Sequence, residues 1–154
     1  MTELHDLRDT YRLQKNALLA SLQASSSSSR GIHILLRKFS RLADSLLCKL
    51  WQRAALPPTL ALVAVGGFGR EQLFPYSDVD VLVLLPNALA DADAVRGPAA
   101  EFIRNCWDAG LEIGSSVRTV QQCLNEAAGD VTVQTSLLEA RRVCGDADLF
   151  TRFE

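Results

Sequence analysis

The chain has 154 residues, of which 48% are hydrophobic and 22% are charged. These values predict one folded domain with a buried core rather than a disordered chain. The formal net charge of −2 offers no general electrostatic attraction to nucleic acid. No apolar run is long enough to span a bilayer. We therefore expect neither a nucleic-acid binder nor a membrane protein.

The cysteines and histidines of the chain argue against a disulfide framework and against a zinc site. The four cysteines, Cys48, Cys106, Cys123 and Cys144, are widely spaced and form no CxxC motif. We interpret them as reduced thiols of a cytoplasmic protein. The start of the chain lacks the basic and then apolar pattern of a signal peptide. Neither of the two histidines lies near a pair of cysteines in the sequence.

Two amphipathic helices are predicted before residue 57. Apolar residues recur at helical spacing over residues 3–23, and again more regularly from Ile32 to Leu50. The serine run at 25–29 is interpreted as a solvated connector. Pro57-Pro58 ends the second helix. We therefore assign residues 1–56 to an N-terminal helical segment.

A strand, a glycine turn and a second strand follow in the centre of the chain. The predicted strands cover residues 59–65 and about 79–85, and the glycine turn lies at 66–69. A helix over 91–108 and a third strand over 111–119 come next. The dozen residues between the first two strands are few for a crossover connection. This favours a small mixed β-sheet with packed helices, in the α+β class.

The end of the chain is predicted to be helical. Thr119 is the expected N-cap of one helix. A further helical stretch begins at Gly129 and includes Val143. Residues 57–145 would then form the core domain. Residues 146–154 look like the start of a following segment, so we expect the chain to be part of a longer protein.

Two aspartates at the start of the second strand are the strongest candidates for chemistry. Asp78 and Asp80 are two residues apart, so their side chains point to the same face of a strand, with Cα atoms roughly 6.5–7 Å apart. Two acids beside an otherwise buried strand are costly without a partner, and divalent cations bind such oxygen ligands. The spacing suits a pair of metal ions, and Mg²⁺ is the expected metal.

Glycines and an arginine beside these acids predict a phosphate-binding site. Gly66 and Gly67 let the backbone approach an anion closely. Arg70 can bind a phosphate through two hydrogen bonds. The alternatives are a tight structural turn for the glycines and a salt bridge with a neighbouring acid for Arg70. Ser77 either caps the turn or touches a phosphate.

A third carboxylate usually completes a site of this kind. Glu112 is the best candidate, because it lies between Leu111 and Ile113 and should point away from the core that they enter. The alternative is an ordinary solvent-facing glutamate. Asp108 and Asp130 are weaker candidates, since both look like helix-end residues. Taken together, acids, glycines and arginine in this order indicate metal-dependent transfer of a nucleotidyl group.

Three separated motifs extend over residues 65–80, 107–119 and 130–141. They read VGGFGREQLFPYSDVD, WDAGLEIGSSVRT and DVTVQTSLLEAR. In this order they resemble the bacterial PII uridylyltransferase/uridylyl-removing enzyme family. The resemblance implies a polymerase-β-like nucleotidyltransferase fold. It also implies an enzyme that uses UTP and Mg²⁺ to place UMP on a tyrosine of the PII nitrogen-regulatory protein.

The same resemblance carries over to individual residues. Gly66 and Gly67 match the phosphate-binding glycines of the family, and Asp78 and Asp80 match its metal-binding aspartates. Ser115 departs from the pattern, because the family commonly has a histidine there. Full-length members also carry an HD-type hydrolase domain and ACT domains, which this sequence does not contain. We therefore expect weak transferase activity without uridylyl removal or glutamine control.

Two other functions stay open from the sequence. Nothing in the residues selects uracil over adenine, so another nucleotidyltransferase of the same fold, such as an adenylyltransferase, is one alternative. A non-catalytic regulatory module is the other. It would bind a nucleotide, or a partner helix through the apolar stripe at 32–53.

Overall fold

A four-stranded mixed sheet with helices on both faces forms the centre of the structure, a computed structural model that describes residues 2–24, 29–74, 77–89 and 93–153. The helices are α1 (Thr2–Ala24), α2 (Ser29–Arg53), α3 (Gly66–Gly69), α4 (Asp93–Asp108), α5 (Val120–Gly129), α6 (Val131–Leu138) and α7 (Ala147–Phe153). The strands are β1 (Ala61–Ala64), β2 (Val79–Leu85), β3 (Ile113–Thr119) and β4 (Arg141–Gly145). The predicted small mixed sheet with packed helices is confirmed.

The strands lie in the order β3-β2-β1-β4. β1 runs antiparallel to both β2 and β4, whereas β2 and β3 are parallel. A short link suffices between antiparallel neighbours, while parallel neighbours need a longer crossover, which α4 supplies here. In the register of the parallel pair, Asp80 lies opposite Gly114. The topology therefore places the acidic end of β2 beside the start of β3.

Two apolar clusters pack on opposite faces of this sheet. Val79 and Val81 belong to the larger cluster, together with buried residues of α1, α2 and α4. Leu82 and Leu84 belong to the smaller cluster, which includes residues of α5 and α7. Because strand side chains alternate between faces, Asp80 points to the same face as the smaller cluster.

Both N-terminal helices pack on the larger cluster, as their amphipathic patterns predict. Tyr11 of α1 and Phe39 and Leu47 of α2 are buried in it.

The division of the chain at residues 56 and 145 stays a prediction. The expectations for the serines at 25–28 and for Pro75 lie outside the described residues. Within the described ranges, no helix is long and apolar enough to cross a bilayer.

The C-terminal part of the sequence-based prediction needs a correction. The predicted helix through Val143 is wrong there, because α6 ends at Leu138 and residues 141–145 form β4 on the free edge of β1. The sequence of β4 does not predict a strand, because it is short and begins with two arginines. Pairing with β1 determines its structure. The capping box of Thr119 with Gln122 confirms the predicted start of α5.

Two smaller boundaries also differ from the prediction. The third strand begins at Ile113 rather than at Leu111. The glycine turn is a single helical turn, α3, that directly follows β1. Both differences lie where backbone hydrogen bonds to neighbouring segments set the element ends, and such ends are weakly encoded in a sequence.

The cysteines are free thiols, as expected, but two of them meet in the fold. Cys48 on α2 and Cys144 on β4 are neighbours, and a hydrogen bond from Cys144 lowers the pKa of the Cys48 thiol to about 7. Burial raises the pKa of Cys106 to about 12 and also raises that of Cys123.

Replacing Gly145 by alanine is expected to destabilise the edge of the sheet. Gly145 has a φ of +92°, and a Cβ atom there would lie 2.4 Å from the carbonyl oxygen of Leu60. The left-handed conformation costs an L-residue roughly 1–2 kcal/mol, and overpacking adds about 1–3 kcal/mol. We expect Gly145→Ala to lower the free energy of unfolding by about 2–5 kcal/mol in urea titrations.

Gly97 offers a matched control for this substitution. A Cβ atom at Gly97, inside α4, would meet nothing within 4 Å apart from its chain neighbours. Gly97→Ala should therefore change the free energy of unfolding by less than about 1 kcal/mol, because the helix propensity of alanine is opposed by crowding from Pro98. Equal stability of the two variants would contradict the close approach of β4 to Leu60.

Candidate active site

Asp80 lies in a narrow gap between two glycines. It is the second residue of β2, and its carbonyl accepts a hydrogen bond from the amide of Val65 at 3.1 Å. A Cβ atom at Gly114 would lie 2.6 Å from Asp80 Oδ1, and one at Gly66 would lie 3.3 Å from Oδ2. The carboxylate therefore fills space that side chains at these two positions would occupy.

The negative charge of Asp78 acts on Asp80, as their spacing predicts. Burial raises the pKa of Asp80, and the negative charge of Asp78 raises it further. Asp78 is exposed and directly precedes β2. A divalent cation would offset both the burial and the repulsion, because carboxylate oxygens are the ligands that hard cations prefer. The donor set of these two residues thus fits Mg²⁺.

The glycine turn is anchored at both ends by backbone hydrogen bonds. Gly66 has a φ of +61°, a conformation that favours glycine. The amide of Arg70 donates to the carbonyl of Gly66 at 3.2 Å, and that of Gln72 donates to Gly67 at 3.0 Å. These bonds fold the chain sharply back after β1, and Gly66 lies next to the Asp80 carboxylate.

Arg141 of β4 ties the glycine turn to the rest of the fold. Its guanidinium donates to the carbonyl of Phe68 at 3.0 Å and to the carboxylate of Asp44 at 2.7 Å. It also lies over the Phe68 ring, 5.1 Å from the centroid. Sequence reasoning missed Arg141 because its partners on α2 and α3 are remote in the chain and no local pattern connects them.

Arg70 and Ser77 both have contacts within the chain. Arg70 forms an ion pair with Glu139, at the C-terminal end of α6, rather than with an acid close to it in sequence. Its Nε lies 3.4 Å from the side-chain oxygen of Gln72. Ser77 is exposed, and its amide donates to the carbonyl of Phe74 at 3.1 Å, as in a turn. Phosphate binding by Arg70 and Ser77 stays a prediction.

Glu112 lies beside the aspartates in the backbone but forms no three-residue cluster with them. Its carbonyl accepts a hydrogen bond from the amide of Val79 at 2.9 Å, next to Asp78. It lines a cavity of about 140 Å³ together with Ser77. In the part of the chain that the structure describes, no group of three or more His, Cys, Asp or Glu could hold a metal ion. The role of Glu112 as third carboxylate stays a prediction.

The weaker candidates occupy helix ends, as their sequence contexts indicate. Asp108 is the last residue of α4. Asp130 caps α6, since its Oδ1 accepts a hydrogen bond from the amide of Thr132 at 2.8 Å. Ser115, which departs from the family pattern, is exposed on β3 and lines the larger cavity beside Asp80.

This larger cavity, of about 400 Å³, opens on the face of the sheet to which Asp80 points. Its size is in the range of small-molecule sites. Its walls come from β2, β3 and the helices that follow, and the polar or glycine positions among its lining residues are Gly66, Asp80, Gly114, Ser115, Ser116, Arg118, Glu126 and Thr132. The carboxylate, the first glycine of the turn and an unassigned set of polar side chains therefore share one cavity.

Sequence reasoning did not single out Gly114, Arg118 or Glu126. For Gly114 the available signal was a glycine inside a predicted strand, because such a glycine often marks the close approach of another group. For Arg118 and Glu126 the sequence offers no comparable signal, since an exposed arginine and glutamate are common on any surface.

A comparison with known protein families decides the family of this chain. Residues 46–126 match the nucleotidyltransferase domain family. This region contains β1, β2 and β3 together with the glycine turn and the Asp78–Asp80 pair. The chain belongs to the nucleotidyltransferase domain family. In this nucleotidyltransferase domain, Asp78, Asp80, Gly66 and Gly67 therefore lie inside the matched region.

Curated relatives support the more specific resemblance. The bifunctional uridylyltransferase/uridylyl-removing enzymes of Burkholderia mallei (strain SAVP1) and Burkholderia pseudomallei (strains 668 and K96243) are each 57% identical to the domain over 137 residues. The alignments cover 89% of this chain and 16% of each relative. The resemblance to this enzyme family is confirmed, and the chain spans a small part of the length of these relatives.

Proposed function

We propose that this nucleotidyltransferase domain transfers UMP from UTP to a tyrosine of the PII signal protein. The observation that carries the proposal is the Asp80 carboxylate, which lies between Gly66 and Gly114, beside Asp78, and lines a cavity. The name of the relatives supports the uridylyl group. The motif resemblance supports the PII acceptor.

Asp78 and Asp80 would hold Mg²⁺, with Glu112 as the proposed third acid. Bound divalent ions activate the attacking oxygen and neutralise charge on the phosphates in such sites. The backbone around Gly66 and Gly67 would contact the triphosphate, since glycines permit a close approach. Arg70 would exchange its ion pair with Glu139 for a phosphate oxygen.

The reaction that these residues would promote is an in-line displacement. The phenolic oxygen of the acceptor tyrosine forms a bond to the α-phosphorus of UTP. The bond between that phosphorus and the oxygen leading to the β-phosphate breaks, pyrophosphate leaves, and the phenolic proton passes to solvent. The residues of the chain bind and orient the two reactants, and positioning accounts for most of the catalysis in phosphoryl-type transfer.

Free thiols are consistent with the cytoplasm as the proposed compartment.

Calorimetry with UTP and ATP in the presence of Mg²⁺ tests the nucleotide. We expect UTP to bind about tenfold more tightly than ATP, the difference that one unmatched buried hydrogen bond produces. Transfer is then measured as labelled UMP appearing on PII, at a low rate for this chain. A preference for ATP would indicate an adenylyltransferase instead, and nucleotide binding without transfer would indicate a regulatory module.

A further inference from the structure

Arg118 and Glu126 form an ion pair at the cavity that contains Asp80. Arg118 comes from β3, where it lies opposite Leu84, and Glu126 comes from α5. Gly114 and Arg118 are four residues apart on one strand, so they share a face. The arginine therefore lies on the same side of the sheet as the Asp80 carboxylate, one strand away.

The charge around this cavity is unbalanced for an anionic ligand. Asp80 and Glu126 line it, and Asp78 adds a third negative charge beside Asp80. Among the described lining residues, Arg118 is the only cationic side chain. A nucleoside triphosphate carries several negative charges, so a site lined mainly by acids needs cationic contacts besides the metal ions. A guanidinium fits phosphate oxygens with two parallel hydrogen bonds.

The ion pair itself is weakly held. The side chains of Arg118 and Glu126 are 34% and 45% exposed. Exposed ion pairs contribute little, about 0–1 kcal/mol, because water screens them. A phosphate group with more charge than a carboxylate can therefore displace Glu126 from Arg118 at small cost.

We propose that Arg118 binds oxygens of the β- and γ-phosphates of the nucleotide, and that Glu126 pairs with Arg118 until the nucleotide binds. This inference rests on the proposed function, since it assumes that the cavity binds a nucleoside triphosphate. It assigns opposite effects to the two partners of one ion pair. Loss of Arg118 weakens nucleotide binding, whereas loss of the Glu126 charge frees Arg118 and strengthens binding.

Calorimetry with UTP, UDP and UMP in the presence of Mg²⁺ tests this inference on the 154-residue chain. We expect Arg118→Met to weaken UTP binding about 10- to 100-fold, the range for hydrogen bonds to charged groups, and UMP binding much less. Arg118→Lys should recover part of the loss, because it keeps the charge without the bidentate geometry. Glu126→Gln should tighten UTP binding about threefold, because it removes the exposed ion pair that competes for Arg118.

Arg104→Met is the matched control, since Arg104 is an exposed arginine of α4 that does not line the cavity. Thermal melts establish whether each variant is folded. If Arg118→Met is unfolded, Arg118→Lys and Glu126→Gln still test the inference, because they should change UTP affinity in opposite directions. Three results would overturn this inference but leave the proposed function standing. They are an unchanged UTP affinity of Arg118→Met, an equal loss of affinity for UMP, and weaker UTP binding by Glu126→Gln. If the unsubstituted chain binds neither UTP nor ATP, the proposed function fails and the inference fails with it.

Discussion

Asp80→Asn is expected to lower the rate of nucleotidyl transfer about 1,000-fold while leaving the fold intact. Charge stabilisation by a bound metal ion is worth several kcal/mol in the transition state, and each 1.36 kcal/mol corresponds to a factor of ten in rate. Asparagine keeps the shape of the side chain between Gly66 and Gly114 but removes the charge that attracts Mg²⁺. Single-turnover transfer of UMP to PII measures the loss.

Asp108→Asn serves as the control for this variant, because Asp108 is an exposed carboxylate at the end of α4. It should transfer UMP at the rate of the unsubstituted chain. Transfer by Asp80→Asn at an unreduced rate would show that Asp80 is not a metal ligand.

The same substitution should change how stability depends on pH. The pKa of Asp80 is raised in the folded state by burial and by Asp78. A raised carboxyl pKa contributes stability below the unfolded value of about 4, and this contribution is lost as the pH rises through the folded pKa. Asparagine does not titrate, so Asp80→Asn does not lose stability in this way. Its free energy of unfolding, relative to that of the unsubstituted chain, should therefore increase from about pH 4 upward. Urea titrations in chelator measure it, and Mg²⁺ should reduce the difference.

Gly114→Ala is expected to abolish most of the transfer activity without unfolding the protein. The new methyl group would lie 2.6 Å from Asp80 Oδ1, a distance that forces the carboxylate to move. A displacement of about 1 Å in a catalytic group can cost 100-fold in rate. We therefore expect a loss of about 100-fold in single-turnover transfer. The free energy of unfolding should change less than in Gly145→Ala, because a side chain rather than backbone must yield.

Gly97→Ala again provides the control, because only chain neighbours lie within 4 Å of the added methyl group, and its transfer rate should be unchanged. The double variant Gly114→Ala/Asp80→Asn adds a sharper comparison. If Gly114→Ala acts through the Asp80 carboxylate, the double variant should be no slower than Asp80→Asn alone. Additive losses would mean that Gly114 acts by another route.

The parts of the site that the sequence predicted are those within one stretch of chain. Asp78, Asp80 and the glycine turn lie within 15 residues of each other, and strand periodicity alone places both acids on one face. The parts that it missed come from distant stretches. Gly114, Arg118 and Arg141 reach the site because β3 pairs with β2 and β4 pairs with β1. No local pattern of residues encodes which strands become neighbours.

By itself, the sequence determined the helices of the N-terminal part, the strand that carries Asp80 and directly follows Asp78, and the family to which the chain belongs. These features depend on periodicity and on short motifs, both of which are local properties. The tertiary structure alone decided that Asp80 lies between two glycines, that residues 141–145 form an edge strand, and that Cys48 meets Cys144. The physical reason is the same in each case. The free energy that fixes these contacts comes from pairing and packing between segments that are far apart in the chain.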